Sequence, residues 1–188
     1  VVAHPGFDVE RFSMQRSGAP PRPIGNPESM PRPIPHFLGV ERRREIAPGL
    51  TFLTDIARRP GRFTAVEGFF LDAQGQMPDP VTDDALLVVE AGGWRTVVLG
   101  CCHAGLANSL EHVSDQLGME RIDIVAGGLH LFQADEAAVD ESARALERLG
   151  VHRIHAGHCT GDAALRALSD RFGERVIPLS AGQVIPLG

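Results

Sequence analysis

A chain of 188 residues with 43% hydrophobic and 22% charged residues has the size and composition of one folded domain with a sizeable core. The net charge of −6 argues against a general nucleic-acid or anionic-membrane surface, and no apolar run approaches the length of a membrane span. Three cysteines, two of them adjacent, make a poor disulfide framework and point to a reducing, cytoplasmic compartment, where cysteine beside histidine is more often metal-binding or catalytic.

The start, Val1-Val2-Ala3-His4-Pro5-Gly6, has neither the basic nor the long apolar region of a signal peptide. It lacks an initiator methionine and reads as the tail of a strand, as in a fragment or a processed product. Residues 13–36 are rich in Pro, Gly, Arg and Ser, which excludes helix and central strand and predicts an extended loop or linker. Either this is a plain loop, or Arg22 and Arg32 serve an anion on the substrate side. The first 44 residues thus form a Pro/Arg-rich region, and 45–188 an α/β portion of the same domain.

Ile46 to Thr54 predicts one strand, followed by the basic turn Arg58-Arg59-Pro60-Gly61-Arg62. Ala85–Glu90 and Thr96–Leu99 flank Gly92-Gly93, a hairpin signal. Leu106, Leu110, Val113 and Leu117 share a helix face that Gly118 stops. Ile122–Ala126 is a strand. Val139, Ser142, Ala143, Leu146 and Leu149 define a second helix, with Asp135 as N-cap and Gly150 at its end. Arg153–Ala156 is a strand, Leu165, Leu168 and Phe172 lie on a third helix ended by Gly173, and Val176–Leu179 and Val184–Leu187 are terminal strands. The sum is an α/β layer structure.

His103, His130 and His158 each follow the C-terminal end of a predicted strand, and each lies among glycines: Gly100 and Gly105, Gly127 and Gly128, Gly157 and Gly161. In open α/β sheets that edge is where sites form. Imidazole and thiolate are ligands for zinc and similar metals, and a catalytic site needs about three protein ligands with one position left open. Against this, Cys101 and Cys102 follow a buried strand and suit core packing, and His130 suits a hydrogen bond within its turn. His4, His36, His112, His152 and His155 lack such a context and read as surface or packing residues. Asp83-Asp84 suits a turn or cap as well as a site. A nucleophile elbow, a P-loop and a dinucleotide-binding glycine motif are absent from the sequence.

The runs Asp79-Pro80-Val81-Thr82-Asp83-Asp84-Ala85-Leu86, Leu99-Gly100-Cys101-Cys102-His103-Ala104-Gly105-Leu106-Ala107-Asn108, Gly127-Gly128-Leu129-His130-Leu131 and His158-Cys159-Thr160-Gly161 stand in order along the chain. Together they resemble one branch of the metallo-β-lactamase superfamily, related to the dihydropterin–ribofuranosylaminobenzene phosphate synthases of methanopterin biosynthesis. The resemblance implies an αββα sandwich with one or two metal ions at one edge of the paired sheets. The metal would be zinc, with manganese or iron as alternatives. It implies that His158 is a metal ligand, that Cys101 stands near the position of a metal-bridging aspartate, and that His103 binds metal or, with His130, acts in catalysis. The His-x-His-x-Asp-His hallmark is absent, so the chain resembles the C-terminal portion of such a protein.

These residues leave several readings. One is a metal-dependent hydrolase of a small-molecule ester or phosphoester, inactive as this portion alone. A second is a synthase condensing at a phosphoribosyl carbon. A third is a non-catalytic half-domain that binds a small molecule or a partner chain. The fourth is a thiol redox module pairing Cys101 or Cys102 with Cys159, which needs those sulfurs close in space. Partners would be a small-molecule substrate and either a second copy of the chain or a separate N-terminal half.

Overall fold

In the computed structural model, which describes residues 1–15, 18–26, 30 and 32–187, a mixed sheet runs through the larger part of the chain. Its strands are β5 (Arg43–Ala47), β6 (Leu50–Thr54), β8 (Ala85–Ala91), β9 (Trp94–Leu99), β10 (Ile124–Gly128), β11 (Arg153–Gly157) and β12 (Val176–Leu179), in the order β12-β11-β10-β9-β8-β6-β5. β5, β6, β8 and β9 pair antiparallel, whereas β9 to β12 are parallel. The parallel strands are joined by α1 (Leu106–Leu117), α2 (Glu136–Arg148) and α3 (Asp162–Phe172). Consecutive crossovers of one hand place all three helices on the same sheet face.

That face holds the core. Leu53, Leu86, Val88, Val97, Leu99, Val125 and Ile154 from the sheet pack against Leu106, Leu110, Val113, Leu146, Leu168 and Phe172 from the helices. The predicted helix faces are the ones buried here, and Asp135 caps α2 by accepting a hydrogen bond from the Ala138 N–H at 2.9 Å. The strand pleat turns alternate residues away from the core: Val97 is 0% exposed, but its neighbour Val98 is 37% exposed on the opposite face.

Two predicted strands differ. Ile46–Thr54 is a hairpin, because Gly49 takes φ +71° and turns the chain between β5 and β6, its N–H donating to the Glu45 carboxylate at 3.1 Å. Val184–Leu187 forms no strand. β12 is the edge of the sheet, and the tail beyond it is held instead by Arg153, which donates to the Pro186 carbonyl at 3.0 Å.

The Pro/Arg-rich region is more ordered than a linker where it is described. β2 (Arg11–Ser13) pairs antiparallel with β3 (Arg22–Ile24) and with β7 (Phe69–Phe70), and β1 (Val2–Ala3) pairs with β4 (Leu38–Gly39). Pro23 is tolerated because β3 is an edge strand. Pro31 lies outside the described residues. Arg11 anchors this layer by bridging Asp79 and Asp83, so Asp83 is an ion-pair partner here and not a cap. No helix among the described residues is long and apolar enough to cross a membrane.

The basic turn has a structural target. Glu111 on α1 is 5% exposed and meets Arg59, Arg62 at 2.7 Å and Arg148 of α2 at 2.7 Å. Burial alone would push this carboxyl up, but the arginines outweigh it and hold it below the usual carboxylate range. Such a group stabilises the fold above its unfolded value of about 4.3, and the contribution is lost as pH falls through its folded value. Glu111→Gln should therefore cost about 1–3 kcal/mol at pH 7, with the gap to the native chain closing below about pH 4 in urea titrations. Gly127→Ala should cost more than about 2 kcal/mol at every pH, because φ is +139° there and a Cβ would lie 2.2 Å from the Leu99 carbonyl oxygen.

Candidate metal centre

The site forms where β9, β10 and β11 end side by side. Each of these ends runs into a loop with one non-glycine residue in the left-handed region: Cys102 at φ 61°, His130 at φ 47° and His158 at φ 54°. That conformation is uncommon outside glycine, and such residues concentrate at functional sites. The loops are tied together by backbone hydrogen bonds. Gly128 N–H donates to Gly100 O at 2.9 Å, and Phe132 N–H donates to Cys159 O at 3.3 Å. Thr160 locks the corner, its hydroxyl donating to Gly157 O at 2.8 Å and accepting from Leu129 N–H at 3.1 Å.

The side chains converge over Gly128. A Cβ at this position would stand 2.6 Å from Cys159 Sγ, 2.8 Å from Gly100 O and 3.3 Å from His158 Cδ2. The space a side chain would fill is taken by a sulfur. One ligand atom each from Cys101, His130 and Cys159 lies within 4.8 Å of the other two. Cys101 Sγ is also 3.2 Å from His158 Nε2, and the Cys159 thiol donates to Cys101 O at 3.5 Å. The turn at φ 61° sends Cys102 the other way, into the core, where it is 2% exposed and 3.4 Å from Ser109 Oγ. Burial pushes the Cys102 thiol far up, so it stays protonated.

His103 sits beside this cluster rather than in it. Its Nδ1 is 2.8 Å from Ala65 O, a carbonyl that can only accept, so Nδ1 carries the proton and Nε2 is left as the acceptor. Its ring centroid is 4.5 Å from that of His130, and Phe69 packs edge-on against it at 5.1 Å. The Asp84 carboxylate reaches under the same loop and accepts the Ala104 N–H at 2.7 Å. Burial pushes the Asp84 carboxyl up, against the pull of that N–H and of His103.

The donors fit a metal ion. A tetrahedral ion with sulfur and imidazole ligands holds its donor atoms roughly 3.5 Å apart, a separation inside the 4.8 Å that bounds this trio. His130 Nδ1 is buried with no hydrogen-bond partner among the described residues, a cost that a ligand removes. Hydrogen bonding from the Cys101 side chain, ahead of the opposing effect of burial, brings the Cys159 thiol down to about 7, so thiolate forms at neutral pH. Of the residues expected from sequence, Cys101, His130 and His158 are brought together and His103 is placed alongside. Cys159 joins the cluster although the sequence reading takes His158, Cys101 and His103 as the ligands and gives Cys159 only a place in the same Cys-His run and a redox pairing; its position next to His158 is the available signal.

A cleft of about 770 Å³ opens from His130. Phe69, Phe70 and Phe132 line it together with Met14, Gln15 and Arg22. The two arginines singled out in the sequence part company here. Arg32 is paired with Asp8, one contact being 2.8 Å, whereas Arg22 lines the cleft and its side chain makes no hydrogen bond or ion pair among the described residues.

Alkylation of Cys159 by iodoacetamide, followed by peptide mapping, should rise with pH through a midpoint near 7, while Cys102 stays unlabelled. In Cys101→Ala that midpoint should move upward, because the side-chain hydrogen bond that is the largest cause of the lowered value is removed.

No protein-family model matches the chain. Over 107 residues, 57% of its length, it is 33% identical to the 7,8-dihydropterin-6-methyl-4-(β-D-ribofuranosyl)-aminobenzene-5′-phosphate synthase of Methanocaldococcus jannaschii. The chain spans 36% of the length of that relative. Its structure superposes along its whole length on 71% of a crystal structure described as a metal-dependent hydrolase of the β-lactamase superfamily, with a TM-score of 0.84 at 24% identity. The resemblance read from the four motifs thus has a counterpart in three dimensions: the chain has the metallo-β-lactamase fold.

Proposed function

We propose that this chain carries metal-binding and substrate-binding parts of a metal-dependent enzyme that hydrolyses a small-molecule ester or phosphoester. The observation that carries the reading is the convergence of Cys101, His130 and Cys159 within 4.8 Å, with His130 also lining the cleft. Cys101, His130 and Cys159 would hold the ion, with His158 beside Cys101 as a further donor. Zinc suits this donor set best, because thiolate and imidazole are softer ligands than manganese favours. A bound ion would supply Lewis acidity toward a carbonyl or phosphoryl oxygen.

The remaining work falls to the chain's own residues. His103, with Nδ1–H held by the Ala65 carbonyl, presents Nε2 as a proton acceptor in a fixed tautomer. Phe69, Phe70 and Phe132 supply an apolar wall that excludes water from one side of a bound substrate. Arg22 is placed to pair with an anionic group on a substrate whose other end lies at His130. Asp84 acts through the loop, holding Ala104 and with it the position of His103.

The identity to a synthase of a ribofuranosyl-aminobenzene phosphate supports a second reading, a condensation in which an aromatic substrate takes the place of water. The aromatic wall suits such a partner. Product analysis with and without an aromatic acceptor separates the two readings.

Metal binding is the first test. Competition against a chromophoric chelator under reductant should give roughly stoichiometric zinc for the native chain. The affinity should fall more than about tenfold in Cys159→Ser and in His130→Ala, a loss of about 1.4 kcal/mol or more. Unchanged affinity in both variants would remove this cluster as the metal centre.

A further inference from the structure

We propose that Cys101 and Cys159 form a reversible intramolecular disulfide with peroxide, and that this modification withdraws both sulfurs from the metal centre. Its effect on metal rests on the function proposed above, whereas the disulfide itself rests on geometry alone.

The two sulfurs belong to loops after β9 and β11, which are separated in the sheet by β10. A side chain on β10 at this level would stand between them. Gly128 has none, and Cys159 Sγ occupies the space where its Cβ would be. The sulfurs lie within 4.8 Å, and the Cys159 thiol already points at the Cys101 carbonyl oxygen, 3.5 Å away. A disulfide requires about 2.05 Å, so the sulfurs need to close by less than about 3 Å, and both lie in loops rather than in the strands themselves. Both thiols are partly exposed, so a small oxidant reaches them. The third cysteine does not compete. Cys102 is 2% exposed, faces Ser109 in the core and is adjacent to Cys101, which disfavours a relaxed bridge between those two.

The chemistry balances with hydrogen peroxide as the oxidant. One thiol attacks the peroxide: an S–O bond forms, the O–O bond breaks, and a sulfenic acid and one water result. The second thiol then attacks that sulfur: the S–S bond forms, the S–O bond breaks, and a second water leaves. Two thiols lose two electrons and two protons, and one peroxide is reduced to two waters. His130 and His158 would remain as nitrogen donors without either thiolate, too few soft ligands to retain zinc.

The test uses the full chain, stripped of metal and exposed to a few equivalents of hydrogen peroxide, with thiol counting and peptide mapping. The expected result is loss of two thiols, a Cys101–Cys159 cross-linked peptide, Cys102 free throughout, and full reversal by dithiothreitol. Cys159→Ser should instead accumulate sulfinic acid at Cys101 without a cross-link. Zinc added beforehand should slow cross-linking by about tenfold or more. Oxidation of the native chain to sulfinic acids without the cross-link, or a bridge to Cys102, would overturn the proposal. Zinc binding under reductant with no cross-link under peroxide sinks the disulfide alone. Cross-linking in a chain that binds no zinc under reductant upholds the disulfide and sinks the metal reading.

Discussion

The absence of a side chain at Gly128 governs what the site can be. Three parallel strands end at one level, about 4.8 Å apart, and any side chain on the central one would separate the loops of its neighbours. With hydrogen in place of a Cβ, Cys159 crosses over β10 toward Cys101, and His130 from the central loop meets both. Gly127 serves the same end one residue earlier, where the backbone passes against the Leu99 carbonyl. The convergence therefore belongs to the sheet, and not to the local sequence of any one loop.

The layers on either side make that arrangement rigid. Behind it, three helices press an apolar core against one sheet face, and Glu111 with its arginines fastens α1 to α2 and to the basic turn. In front, the small sheet of β2, β3 and β7 brings Phe69, Phe70 and Arg22 to the cleft, held by Arg11 between Asp79 and Asp83. Polar atoms with no partner other than a ligand are rare in a folded interior. His130 Nδ1 is one of the buried atoms with no partner among the described residues, and its imidazole belongs to the cluster with the two sulfurs rather than to the helical core.

Much of this was legible in the sequence, for physical reasons that differ between elements. The helices announced themselves through apolar periodicity and through Asp135 and Gly118 at their ends, because caps and amphipathic faces are local properties. The glycine-flanked histidines at strand ends were visible because the parallel layout fixes where loops gather. Cys159 was harder to place, since a cysteine in a loop declares neither its direction nor its neighbours. The hairpin at Gly49 is hidden in the sequence because apolar residues flank Pro48-Gly49 on both sides and read as one run, although Pro-Gly is itself a turn signal. The aromatic cleft was invisible, as its walls come from segments more than 100 residues apart, from Met14 to Phe132.

The most direct measurement is X-ray absorption at the zinc edge on the reduced, zinc-loaded chain. Two sulfur scatterers at about 2.3 Å, with the remaining ligands nitrogen or oxygen near 2.0 Å, is the result expected of an ion held by Cys101, Cys159 and His130. A shell of nitrogen and oxygen alone would contradict it, and would mean that the thiols over Gly128 are not the metal's ligands.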